Sequence, residues 1–154
     1  MSDPETIKVY DARAEEYAQM ANDEAGINRA LESFIADMSS GARVLDIGCG
    51  PGHAAARMAQ AGLKVDATDA SAEMVAMTDK LDGVTAWLAT FDEITGTALY
   101  DGVWASFCLL HAPRTEMPRH LAALRTALKS GGVFYIALKL GAGEARDSIG
   151  RLYT

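Results

Sequence analysis

The chain has 154 residues, 49% of them hydrophobic and 23% charged, with a formal net charge of −7. That length and composition suit one soluble domain with a buried core that needs no disulfide or metal staple. The acidic balance opposes broad binding to nucleic acid backbones or anionic membranes, and no apolar run approaches the ~20 residues of a membrane span. The two cysteines, Cys49 and Cys108, stand in unlike contexts without metal-ligand spacing. They fit a reducing compartment. The opening MSDPETIKVY has no signal-peptide pattern. The expectation is a cytoplasmic protein that binds neither nucleic acid nor membrane and holds no metal.

In chain order, residues 5–22 predict a helix, with Ile7, Tyr10, Ala14, Tyr17 and Ala21 recurring at three- and four-residue steps. A second helix over 25–38 carries Ile27, Leu31, Phe34, Ile35 and Met38 on one face and stops at SSG. Strands and helices then alternate. ARVLDIG is a strand, followed by a glycine loop and the small-residue helix HAAARMAQAG. KVDAT is a strand and SAEMVAMTDK a helix with Ser71 as its cap. GVTAWLA and YDGVWASF are further strands. RTEMPRHLAALRTALKSGG is a helix that turns Met117, Leu121, Leu124 and Leu128 inward and stops at the glycine pair. VFYIALKL is the fifth strand. Trp87 and Trp104, within strands, read as core. Alternation of this kind predicts an α/β fold: a mostly parallel sheet of about five strands, covered on both faces.

The stretch VLDIGCGPG, Val44 to Gly52, places glycine at every second position after an apolar strand that ends in Asp46. Gly48, Gly50 and Gly52 allow a tight bend and close approach of a ligand to the backbone. The N–H groups of the following helix face the same space. The spacing is G-x-G-x-G; a dinucleotide fingerprint would place its third glycine where His53 stands. An ionised Asp46 opposes a pyrophosphate and suits a cationic amine. It also reads as a tie for the loop's own N–H groups. Asp69 ends the next strand, 17 residues after Gly52. There an acid meets two ribose hydroxyls in such folds, or else caps a helix. Asp66, three residues earlier, reads as a solvated charge on the other side of its strand.

VLDIGCGPG, DATDASAEM, YDGVWASFCLLHAP and ALKSGGVFYIALK, in that order, resemble the class I S-adenosylmethionine-dependent methyltransferases. The resemblance covers about 40–140, with a weaker echo in YDARAEEYAQM. It implies a Rossmann-like, doubly wound fold with S-adenosylmethionine as cofactor and S-adenosylhomocysteine as product, divided into a helical lid over 1–40, a cofactor-binding core over 41–140 and a short tail over 141–154. Asp46, Gly48, Cys49, Gly50 and Gly52 match the loop around the methionine part, and Asp69 matches the ribose acid. Ala70 and Met74 match positions beside the adenine. An aspartate common near the adenine amine is replaced by Thr90, with Phe91 next and Asp92 two positions late. Ser106 and Phe107 match the place where cofactor meets substrate.

Methyl transfer from a sulfonium needs alignment, and a base only where the acceptor must lose a proton. His111 is the candidate catalytic residue, or else a buried histidine that fixes its loop. His53 and His120 read as structural or exposed. Tyr10, Arg13 and Tyr17 share a helical face that closes the site as a lid, or pack the helix on the sheet. Cys108 lacks the preceding proline of pyrimidine-carbon methylating enzymes, and no Asn-Pro-Pro-aromatic run marks nucleobase amino methylation. The reading is methyl transfer to a small-molecule acceptor. Its alternatives are a nicotinamide-dependent oxidoreductase and a non-catalytic cofactor-binding or regulatory protein of the same fold. After the fifth strand only GAGEARDSIGRLYT follows. This predicts that the family's C-terminal strand pair is missing, as in a truncated enzyme, and that the open fifth-strand edge is a template for self-association. Arg146 and Arg151 in that tail read as solvated charges, or as lining for an anionic acceptor's site.

Overall fold

The computed structural model describes residues 3–20 and 25–154; Ala21 and the side chain of Ile27 lie outside the described residues. Three helices, α1 (Pro4–Ala12), α2 (Ala14–Gln19) and α3 (Ala25–Ala36), precede β1 (Arg43–Ile47) and α4 (His53–Gln60). Then follow β2 (Lys64–Asp69), α5 (Ala72–Thr78), β3 (Val84–Leu88), β4 (Tyr100–Ser106), α6 (Met117–Ala127) and β5 (Leu128–Ala137). The five strands pair in parallel in the order β3-β2-β1-β4-β5. Strand order reverses between β1 and β4, which opens a crevice at their carboxyl ends.

β1 and β2 are buried beyond their first residue. That is why they read as continuous apolar runs rather than alternating ones. Successive residues nonetheless serve opposite faces. Leu45, Ile47, Val103 and Leu124 join one core cluster. Val44, Val65, Met58 and Trp104 join the other. Trp104 stacks on Tyr135 with ring centres 3.8 Å apart. A Cβ on Gly102 would meet the Phe34 ring at 2.7 Å, so α3 packs directly on the β4 backbone. Ser71 caps α5 by accepting from the Met74 N–H at 3.3 Å.

Several expectations change. The single N-terminal helix breaks at Arg13, whose φ of −121° and ψ of 17° leave the helical region. α6 ends at Ala127 rather than at the glycine pair, because Leu128 turns extended and pairs with Tyr100. Trp87 is 38% exposed because β3 is an edge strand. Asp66 is buried rather than solvated: it accepts from Arg43 Nε at 2.9 Å and from the Tyr100 hydroxyl at 3.0 Å.

The tail is ordered into a separate antiparallel pair, β6 (Ala145–Arg146) with β7 (Leu152–Tyr153). Two residues per strand suffice because Asp147 Oδ1 accepts from the Ile149 and Arg151 N–H groups and closes the turn. The pair does not extend the main sheet, so β5 has no outer neighbour among the described residues. Both tail arginines are paired, Arg146 at the exposed surface and Arg151 partly buried. Arg146 donates to both carboxylate oxygens of Asp3, and Arg151 to Asp147. No described helix is long and apolar enough to cross a membrane.

Candidate active site

The three glycines of the β1–α4 turn all have positive φ (66°, 54° and 87°), yet each meets different surroundings. A Cβ on Gly48 would lie 2.3 Å from Cys108 Cβ, so this glycine lets the loop close on the chain after β4. One on Gly52 would lie 2.5 Å from Leu81 Cδ1 and 2.8 Å from Thr78 Oγ1. One on Gly50 would meet nothing within 4 Å. Gly50 borders a cavity of about 300 Å³ at the carboxyl ends of β1 and β4. The loop is fixed from behind. The Gly48 and Cys49 N–H groups donate to Thr68 O at 2.7 and 3.0 Å, and Thr78 Oγ1 donates to Gly50 O at 2.9 Å. Gly52 is the N-cap of α4 and has no side chain to cap it, so the helix-start N–H groups lack that partner.

Two carboxylates stand on the cavity wall. Asp46 is 2% exposed, and its Oδ2 has no hydrogen-bond partner. Burial, and then the charge of Asp69, push its carboxyl up to about 7, against a smaller lowering by the Ala55 N–H. Asp69 accepts from the Gly50 N–H at 3.0 Å through Oδ2 and from the Ser71 N–H at 2.9 Å through Oδ1. Burial raises its carboxyl, and these backbone bonds oppose the rise. Asp69 therefore ties the loop, while each oxygen keeps a further lone pair.

The rest of the wall comes from the ends of other elements. Met74, on α5, is buried to 1%. Ser106 ends β4, and Phe107 follows it with φ of 53°, a left-handed conformation that bulky residues rarely take. Tyr10 and Tyr17 close the wall from α1 and α2, with ring centres 5.0 Å apart.

His111 lines the cavity, yet both ring nitrogens are engaged. Nδ1 lies 2.5 Å from Leu152 O, and Nε2 lies 2.9 Å from the Tyr10 hydroxyl. A carbonyl only accepts, so Nδ1 carries the proton and Nε2 accepts from Tyr10. Burial lowers this histidine to about 4 and outweighs the Leu152 bond, while nearby Arg151 lowers it further. The ring is neutral at physiological pH.

The remaining predicted residues lie off the wall. Gly52 is buried against Leu81 and Thr78, and Arg13 pairs outward with Glu16 at 2.7 Å. Ala70 packs against a core cluster. The Thr90 hydroxyl donates to Glu93 at 2.9 Å in a capping box, and Phe91 is buried against the His120 ring. The wall also holds Met20, Pro51, His53, Ala54, Trp104 and Cys108, which the sequence reading left out of the site. Pro51, His53 and Ala54 were recoverable as the loop and helix start beside Gly50, and Met20 as the next step after Tyr17. Asp92, Glu116 and His120 bring possible metal-ligand atoms within 4.8 Å of one another. The Arg119 guanidinium pairs with both of those carboxylates, so a side-chain cation already balances them.

A family model described as a methyltransferase domain matches residues 44–132, more than half of the chain. No curated protein matches. Among solved structures, a Burkholderia thailandensis 1,6-didemethyltoxoflavin-N1-methyltransferase, with bound 1,6-didemethyltoxoflavin and S-adenosylhomocysteine, is 24% identical with a TM-score of 0.81. That match covers 97% of this chain and 69% of the other. The DhpI–SAH complex is 27% identical, with a TM-score of 0.75 and coverage of 97% and 76%. The [4+2]-cyclase SpnF is 24% identical, with a TM-score of 0.67 and coverage of 82% and 51%. The chain belongs to the methyltransferase-domain family and has the Rossmann-like fold of the class I S-adenosylmethionine-dependent methyltransferases.

Proposed function

We propose that this chain transfers a methyl group from S-adenosylmethionine to a small-molecule acceptor. The observation that carries the reading is the buried, unpartnered Oδ2 of Asp46 beside the open face of Gly50. A buried carboxylate oxygen without a donor is costly, and an ammonium group would satisfy it. A pyrophosphate would worsen it, which disfavours a nicotinamide dinucleotide. The fit extends along the wall. Gly48, Cys49 and Gly50 present backbone to the methionine part. Asp69 offers its spare lone pairs to the ribose hydroxyls. Met74 packs a thioether on the adenine face. The Thr90 hydroxyl is already bonded to Glu93, which leaves backbone groups of that loop for the adenine edge.

The bound cofactor supplies an electrophilic methyl group. The residues of this chain hold it, aim it past Ser106 and Phe107, and exclude water. The helices before β1 act as the lid, with Tyr10 and Tyr17 over the site. His111 orients Tyr10 and ties it to the tail. The test is a screen of small acceptors with methyl-labelled cofactor, in which transfer of label supports the reading. Cofactor binding without transfer to any acceptor would favour a non-catalytic member of the family.

A further inference from the structure

The cavity is electrically lopsided. Among the described residues its only carboxylates are Asp46 and Asp69, both beside the glycine turn. At the tyrosine wall Arg151 and Lys139 stand behind the rings, and the one carboxylate there, Asp147, is taken up by Arg151. Arg151 spends one edge on Asp147, with Nε at 2.8 Å and Nη2 at 2.7 Å from Oδ2. Its other edge faces the tyrosines: Nη1 donates to the Tyr17 oxygen at 2.6 Å and reaches the Tyr10 oxygen at 3.5 Å. The guanidinium lies 5.8 Å from the Tyr10 ring centre and 5.3 Å from that of Tyr153. Lys139 Nζ lies 4.9 Å from the same Tyr153 ring.

The two tyrosine hydroxyls differ. Tyr10 gives its proton to His111 Nε2. The Tyr17 oxygen accepts from a cation, so its own proton is free for another partner, and the guanidinium polarises it. A donor of this kind selects an acceptor that carries negative charge.

We propose that the methyl acceptor is a small oxyanion held by the Tyr17 hydroxyl with Arg151 behind it, and that its ionised oxygen is the nucleophile. This rests on the cofactor assignment above. The acceptor's lone pair forms the bond to the methyl carbon, and the electron pair of the breaking carbon–sulfur bond stays on sulfur. One negative and one positive charge disappear, no proton moves, and no base is required. That agrees with a site whose histidine has both nitrogens engaged. A reaction that removes charge also gains from a cavity of low dielectric.

The test is binding of benzoate and phenylphosphonate to wild-type protein saturated with S-adenosylhomocysteine, followed by calorimetry and ligand-observed NMR. Methyl benzoate and benzamide serve as neutral counterparts. The anions are expected to bind at least tenfold more tightly than the neutral probes. Tyr17→Phe, which removes only a hydroxyl, should weaken the anions at least fivefold while binding of the neutral probes changes less than twofold. Arg151→Met should weaken them further, with partial recovery in Arg151→Lys. Equal binding of neutral and anionic probes, or an anion preference untouched by Tyr17→Phe, overturns the inference while the cofactor reading stands. Absence of S-adenosylhomocysteine binding overturns the cofactor reading itself.

Discussion

Replacing Asp46 by asparagine should move stability and ligand affinity in opposite directions. The Asp46 carboxyl rises from an ordinary 3.8 to about 7 because it is buried and faces Asp69. Its ionised form is therefore disfavoured in the ligand-free protein by up to roughly 4 kcal/mol, at about 1.4 kcal/mol per tenfold. The sign follows from a folded value above the unfolded one. The contribution of Asp46 to stability is complete below about pH 4 and is lost as pH rises through about 7. Asparagine removes the buried charge and can still accept from the Ala55 N–H. Its amide group takes the place of the unpartnered Oδ2, at a cost of about 1–3 kcal/mol. The variant should thus gain about 1–3 kcal/mol at pH 8 and gain nothing, or lose, at pH 4. Its affinity for S-adenosylhomocysteine should fall at least tenfold at pH 8, through loss of a charge-assisted contact worth about 1.5–3 kcal/mol. Wild-type affinity should rise with pH up to about 7, with proton release on binding, whereas the variant should show neither from this group. Urea denaturation at both pH values and calorimetry in two buffers of different ionisation enthalpy measure these effects. A variant less stable than wild type at pH 8, with unchanged affinity, would refute the reasoning.

Asp69→Ala should weaken S-adenosylhomocysteine at least tenfold by calorimetry, and it also releases the Gly50 N–H that Asp69 holds. Gly50→Val and Gly48→Ala should separate two uses of glycine. Gly50→Val points into open space and should abolish binding while far-UV circular dichroism shows helices retained, whereas Gly48→Ala drives a Cβ into Cys108 and should lower the melting temperature. His111→Gln should leave cofactor affinity within a few-fold but destabilise the protein at neutral pH by loosening Tyr10 and the tail. The folded value of His111 is depressed, so its contribution is present above about pH 6.5 and lost as pH falls through about 4. The difference between this variant and wild type should therefore shrink in denaturation experiments at acid pH. Light scattering should detect self-association through the side of β5 that has no strand neighbour among the described residues, which a charged Ile136→Lys should reduce; a concentration-independent monomer would argue against pairing at that edge.

The parts of the fold set by local pattern were legible in the sequence. β1, β2 and β4 are apolar runs because the sheet is covered on both faces, and the glycine turn marks where the first of them ends. The place of Asp46 and Asp69 on the cavity wall was legible because each lies at the carboxyl end of a strand. Contacts made across long stretches of chain were not. Nothing local in GAGEARDSIGRLYT foretells that Leu152 accepts from His111 or that Arg151 meets Tyr17. Thr90 and Phe91 resemble a binding position, and the capping box at Thr90 and the burial of Phe91 against the His120 ring were not legible beside it. The edge placement of Trp87 depends on strand order, which composition does not encode.

The most direct test of the central claim is calorimetric titration of the purified chain with S-adenosylmethionine, S-adenosylhomocysteine and NAD in parallel, at pH 8. One site per chain for both adenosyl ligands, with no saturable heat from NAD, is the expected result. Saturable binding of NAD, with no response to either adenosyl ligand, would contradict the assignment of Asp46 and the glycine turn on which the account depends.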